Sequence, residues 1–301
     1  MATALGRKNV VQQRRFATLI GFTAVLMWSL LAALTAASGR VPPFQLTAMA
    51  FTIGGALGLI AVAIRGEVRE LQQPLSVWLV GVGGLFGYHF FYFTALRNAP
   101  PVEAGLIAYL WPLLIVLFSA LLPGERLRWF HLAGAALGLA GTVLVVGGGR
   151  GFALDARYAA GYGAALVCAL TWSLYSILSR RMAAVPTAAV AGFCIATAVL
   201  SFVAHLALEE TVWPATVSQW LAVGALGLMP VGAAFYVWDY GVKRGDIQVI
   251  GASAYAAPLL STALLILAGF AVASWSIALA ALLIAGGGVL ASKDLIFRQP
   301  T

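Results

Sequence analysis

Charge is scarce in this sequence. Only 9% of its 301 residues are Asp, Glu, Lys or Arg, and just 10 of them are acidic. A soluble domain carries about 25% charged residues, so this chain could not cover itself in water. Cysteine is nearly absent: Cys168 and Cys194 both sit in apolar stretches and read as buried thiols, with no disulfide frame or metal site. No GxxxxGK[ST] phosphate cradle occurs, and no strand precedes the glycines of "GVGGLFG" at 81–87. ATP-driven pumping by this chain alone is thereby excluded, and those glycines suit close helix approach instead.

Long apolar runs are what the chain has. Hydrophobic residues make up 62% of it. They fall into runs of about 20 residues, the length needed to cross a hydrocarbon core as a helix. A barrel needs period-two alternation, which these runs lack. The fold class is therefore an all-α integral membrane protein, with spans at 16–37, 43–65, 74–96, 100–122, 127–147, 158–182, 187–208, 215–241, 246–270 and 275–295. Turn-forming connections such as "RNAPP" and "PGERLR" leave no room for an extramembrane domain. The basic residues collect at span ends rather than in one patch, so the net charge of +8 does not imply nucleic acid.

The chain also repeats itself. "AVLMWSL" at 24–30 returns as "CALTWSL" at 168–174, and "AYLWPLL" at 108–114 as "AYAAPLL" at 254–260. Two five-helix units follow, 1–150 and 151–301. Because five is odd, the second unit enters the membrane from the opposite side. Inverted repeats of this kind build secondary transporters, with the substrate near the midplane between the halves. With an N terminus on the cytoplasmic side, fourteen of the 18 Lys and Arg face the cytoplasm, and Arg40, Arg97, Arg150 and Arg157 face outward. The positive-inside rule thus puts both termini in the cytoplasm.

The candidate site is aromatic. "GYHFFYFTAL" at 87–96 sets six rings in a row inside a membrane span. Tyr88 and Tyr92 share a helix face, and His89 lies about 100° around from Tyr88. Polar groups at this depth turn toward the bundle interior or a wet cavity. Trp28, Trp111 and Trp172 fall mid-span, whereas Trp129, Trp213 and Trp275 sit at span ends as interfacial anchors. Tyr109 stands beside Trp111; Tyr236 and Tyr255 are further candidates. Pro112 and Pro258, matched between the repeats, free backbone carbonyls and mark hinges. Rings carrying hydroxyls and an imidazole suit a ligand with an aromatic or large apolar side chain and an ammonium head. Asp239 and Lys243, four apart, read as a structural pair at a helix end, with a coupling carboxylate as the alternative. Glu103 and Glu125 are expected in solvent at helix ends, and His131 near the cytoplasmic surface. No carboxylate stands mid-span in the first seven spans, so facilitated efflux or exchange competes with proton antiport.

The two "WS" helices, "YFTALRNAPPVEAGLIAYLWPLL" at 92–114 and "PGERL" before the fifth span together resemble the EamA-type drug/metabolite transporters. The aromatic run and the "WP" of the fourth span are most similar to the bacterial aromatic-amino-acid exporters in that superfamily. The resemblance covers essentially the whole chain. It implies ten helices, a central cavity, and efflux of small molecules through the bacterial inner membrane by alternating access. The "GE" at 124–125 has no counterpart in the second half. Substrates are expected to be amino acids, with other metabolites, nucleosides or drugs as the alternative within carriers. The only partner besides the bilayer is then the substrate; a monomer is favoured, and no cofactor, metal or nucleic acid is called for. An intramembrane enzyme would want paired carboxylates or a Ser–His dyad, and neither is visible around Ser29, Ser173 and His89.

Overall fold

The computed structural model describes residues 2–148, 154–267, 272 and 274–294, with side chains described from Val10 onward. Nine helices among the described residues are long and apolar enough to cross a membrane. They are α1 (Val10–Ala37), α2 (Pro43–Ile64), α3 (Leu75–Asn98), α4 (Pro101–Leu121), α5 (Trp129–Gly147), α6 (Ala156–Arg181), α7 (Ala189–Leu208), α8 (Val217–Arg244) and α9 (Ile247–Leu267). A shorter apolar helix, α10 (Trp275–Ala291), completes ten. The first helix runs back beyond the predicted start at 16, to Ala2, carrying Arg14 and Arg15 with it. Charge ends the hydrocarbon span without ending the helix, which is why the expected boundary fell late. The proposed junction of the halves at 150 and 151 lies outside the described residues.

Packing follows the repeat. The main pairs are α1 with α8, α3 with α6, α2 with α7 and α5 with α10. Exchanging the two halves converts the first pair into the second and leaves the others unchanged, as two inverted five-helix units require. Small residues permit the closest crossings. A Cβ on Gly241 of α8 would stand 2.4 Å from the Cα of Gly21 on α1, and one on Gly287 of α10 would meet the Gly134 carbonyl of α5 at 2.5 Å. In lipid such contacts come from packing rather than from the hydrophobic effect. Gly81 and Gly84 serve α3 in the same way, under the rings of Phe193 and Tyr175.

Four helices depart from regularity near mid-membrane. α4 turns at Tyr109–Leu110 and α9 at Ala254–Tyr255, each just ahead of its proline. Pro112 and Pro258 have no N–H for the preceding turn, so the carbonyls behind them lose their helical partners. α1 turns at Ser29–Leu30, and α8 widens into a π-turn over Met229–Ala233. These last two distortions meet: the Trp28 indole N–H donates to the Pro230 carbonyl at 3.0 Å. The repeat mates α6 and α3 stay regular at the matching positions.

Candidate functional site

Rings from both halves converge where those distortions meet. Trp28 of α1 lies against Trp111 of α4 (6.0 Å between centroids), Trp172 of α6 (5.7 Å) and Trp238 of α8 (4.9 Å). Trp111 and Trp172 touch each other edge-on at 6.2 Å. From Trp172 the contacts run to Tyr88 at 5.3 Å, and Tyr92 stacks on Tyr88 at 6.0 Å and 4°. His89 packs edge-on against Phe51 and reaches Phe235, and these two phenylalanines are stacked at 5.2 Å. Helices α1, α2, α3, α4, α6 and α8 thus share one continuous layer of rings. Edge-on and offset contacts dominate, as ring quadrupoles favour.

The layer presents both donors and acceptors. Nδ1 of His89 lies 2.7 Å from the Leu85 carbonyl of its own helix. A carbonyl only accepts, so the proton sits on Nδ1 and Nε2 is left as an acceptor. The Trp172 indole N–H, in a side chain 3% exposed, has no partner among the described residues. Its repeat mate Trp28 has spent its own N–H on Pro230. Unpaired buried donors are uncommon and costly, which sets Trp172 apart from Trp28. Tyr88, His89, Tyr92, Tyr109 and Trp28 are only half-buried.

Not all expected residues join this layer. Tyr109 stands at the turn of α4 with no ring contact among the described residues. Tyr236 faces α2, where its hydroxyl donates to the Gly54 carbonyl at 3.1 Å. Tyr255 is fully buried against Gly138 of α5, and its hydroxyl accepts the Leu113 N–H at 3.1 Å. Phe51, Phe235 and Trp238 are members that sequence reading passed over. Phe235, Trp238 and Val242 recur at helical spacing and are all buried, a pattern present in "FYVWDYGV" that would have pointed to them.

At the end of the bundle that carries the N terminus, charges close ranks. Glu125 accepts from Arg14 at 2.9 Å and from Arg180 at 2.6 Å, and Arg14 also reaches Asp246 at 3.0 Å. Arg180 further donates to the Val242 carbonyl at 3.2 Å. Glu125 of the 122–128 loop thus joins α1 and α6, and the two arginines extend the network to the α8–α9 junction through Asp246 and the Val242 carbonyl. The solvated Glu125 expected from sequence is therefore corrected: its side chain is 7% exposed. Guanidinium groups from distant parts of the chain replace the water that a helix-end glutamate would otherwise hold. His131 lies at this same end, in the first turn of α5, but is buried. It is 4% exposed, and its Nδ1 accepts the Arg128 N–H to cap α5. Asp239 and Lys243 form the expected pair at 2.9 Å, with Ser179 and Thr187 also donating to Asp239. At the opposite end, Glu209 caps the N–H groups of Phe44 and Gln45 and pairs with Arg97 at 2.7 Å.

Residues 15–147 and 159–293 each match the EamA-like transporter family. The chain belongs to that family. Among its relatives, the aromatic amino acid exporter YddG of Ancylobacter novellus is 60% identical over 283 residues, covering 93% of this chain and 98% of that protein. The Escherichia coli K12 exporter of the same name is 27% identical, covering 92% and 97%. A probable terminal-alkyne amino-acid exporter of Streptantibioticus cattleyicolor is 27% identical over 71% of this chain and 70% of its own length. A solved crystal structure at 60% identity superposes with a TM-score of 0.90, covering 93% of this chain and 97% of the other. This EamA-family chain is thus a multi-pass inner-membrane transporter, similar across its length to exporters. No group of three His, Cys, Asp or Glu converges as a metal would need among the described residues.

Proposed function

We propose that this EamA-family protein exports amino acids with aromatic or large apolar side chains, as a carrier that works by alternating access. The observation carrying this reading is the ring layer shared by both halves, with the free Trp172 N–H and the His89 Nε2 set among its rings. A zwitterionic amino acid needs an apolar wall for its side chain, a donor for its carboxylate and an acceptor or ring face for its ammonium. Trp28, Tyr88, His89, Tyr92, Trp111 and Trp172 supply these. Tyr109 at the α4 turn borders them, and Tyr236 and Tyr255 act from behind, through α2 and α4. Pro112 and Pro258 are the hinges. The Arg14–Glu125–Arg180 cluster closes the end that the positive-inside rule makes cytoplasmic, so the ring layer faces outward in this state, and both termini are cytoplasmic. The same design gives the protein no catalytic residues and no need of a cofactor, and the unit works as a monomer.

Counterflow into liposomes tests the substrate. Vesicles preloaded with unlabelled phenylalanine should accumulate labelled Phe, Trp and Met, and exclude a labelled nucleoside. Nucleoside exchange at an equal rate would move the protein to the broader drug/metabolite class.

A further inference from the structure

The geometry points to a phospholipid site on the flank of the bundle, in a groove between α2 and α8, for a lipid whose head carries both a phosphate and a primary ammonium. The groove holds about 600 Å³. The two helices run in the same direction and touch at Gly54 and Gly232, where a Cβ on Gly54 would come within 2.6 Å of the Gly232 Cα. Toward the N-terminal face they part, and Leu57, Ala61, Val237 and Tyr240 line the opening. Gly54 to Arg65 is eleven residues, about 16 Å at helical rise. One leaflet of hydrocarbon is about 15 Å, half of a 30 Å core. The groove therefore accommodates an acyl chain from a single leaflet.

Its walls open to the lipid side. Leu57 and Leu228 are 45% and 51% exposed, and Ile60 beside them is 55% exposed. On the inner side the groove is shut off from the central rings. Phe235, the neighbour of Tyr236, turns the other way and stacks on Phe51, both buried. The Tyr236 hydroxyl pins the two helices together at Gly54. An amino acid in transit through the ring layer has no passage here.

The mouth of the groove is charged in both senses. Arg65, Arg244, Glu67 and Glu70 line it. Arg65, Glu67 and Glu70 form no ion pair among the described residues, and Arg244 lies over the Tyr240 ring at 5.1 Å. Two guanidiniums and two carboxylates at headgroup depth complement a phosphate and an ammonium together. A purely anionic head would meet the two glutamates, and a quaternary ammonium has no N–H to donate to them.

Native mass spectrometry of the full-length protein can decide this, after reconstitution in an equimolar mixture of phosphatidylethanolamine, phosphatidylglycerol and phosphatidylcholine with identical acyl chains. One phosphatidylethanolamine should be retained in preference to the others. Ala61→Trp fills the groove from an exposed position and should lower retention about tenfold, equivalent to about 1.4 kcal/mol. The pair Arg65→Gln and Arg244→Gln, both at exposed positions, should do the same without touching the helix contact, and it carries the test should Ala61→Trp fail to fold. Equal retention of the three lipids, or retention unchanged in both variants, overturns the site. So does displacement of the lipid by free tryptophan, which would assign the groove to the transport route.

Discussion

The backbone N–H of Leu113 donates to the hydroxyl of Tyr255. In an unbroken helix that N–H would bond the Tyr109 carbonyl, but α4 turns there. Tyr255 stands at the matching turn of α9, so one hydrogen bond ties the two proline turns to each other. Any rearrangement that straightens α4 must return the Leu113 N–H to Tyr109 and release Tyr255.

Tyr255→Phe keeps the ring in its place against Gly138 and deletes only the acceptor. An orphaned N–H away from water costs about 1–3 kcal/mol. The variant should therefore disfavour the bent form of α4. We expect normal membrane insertion, a lower Tm in detergent and a changed exchange rate. Measured values equal to wild type on both counts would show that the bond contributes nothing to the bent state.

Within the ring layer, Trp111→Ala removes contacts to Trp28, Trp172 and Trp238. Losing such ring contacts costs about 0.5–1.5 kcal/mol beyond area burial, and about 1.4 kcal/mol is tenfold in affinity. Substrate binding should weaken roughly tenfold or transport should stop. Trp172→Phe is the finer probe: it retains most of the ring and removes a buried, unpartnered indole N–H. Trp129→Ala, at a residue 67% exposed, should leave transport near wild type. Rates in proteoliposomes at matched protein amounts separate these outcomes; full activity in Trp111→Ala would reduce the layer to packing.

His89 and His131 should fail differently. His89→Gln keeps an acceptor near Nε2, whereas His89→Ala removes it, so transport should fall further in the alanine variant while yield stays constant. His131→Ala uncaps α5 at a buried site, a change worth about 1 kcal/mol for a typical cap. It should lower Tm and leave the substrate affinity of the folded fraction intact. A fluorescence melting curve paired with a binding isotherm distinguishes them.

Much of this was readable from the chain. Span count and the inverted repeat follow from apolar run length and from the 144- to 146-residue echo, because lipid forces every backbone group into a helix. Trp28, Trp111 and Trp172 stood out because a tryptophan at mid-span departs from the interfacial rule. Tertiary partners were harder to read. Glu125 looked like a helix-end residue because its partners Arg14 and Arg180 lie 111 and 55 residues away. Tyr236 stood as a candidate in α8, whereas Phe235 and Trp238 join the layer; which face of α8 turns inward follows the π-turn at Met229–Ala233, and that turn carries no sequence period of its own.

Glu125 also supplies the most decisive test of the closed end. Its carboxylate is nearly enclosed, while Arg14 is 38% exposed and Arg180 19% exposed. Removing one partner of an enclosed pair costs several kcal/mol, because the remaining charges stay desolvated. Glu125→Gln keeps the shape and deletes the charge, leaving Arg14 to Asp246 and Arg180 without a carboxylate partner, held only by the Val242 and Lys243 carbonyls. Arg180 would then repel Arg14 across a gap that the carboxylate now bridges. The variant should shift the resting protein toward opening at that end. A cysteine at Ser179, now buried beside Asp239, should react with a membrane-impermeant maleimide faster in Glu125→Gln than in the Ser179→Cys parent when the reagent is added from the N-terminal side. High salt should speed the parent and have less effect on the variant, since the ion pairs it screens are already gone. Equal labelling of the two proteins, at low and high salt alike, would mean that helix packing rather than the Glu125 cluster holds that end shut.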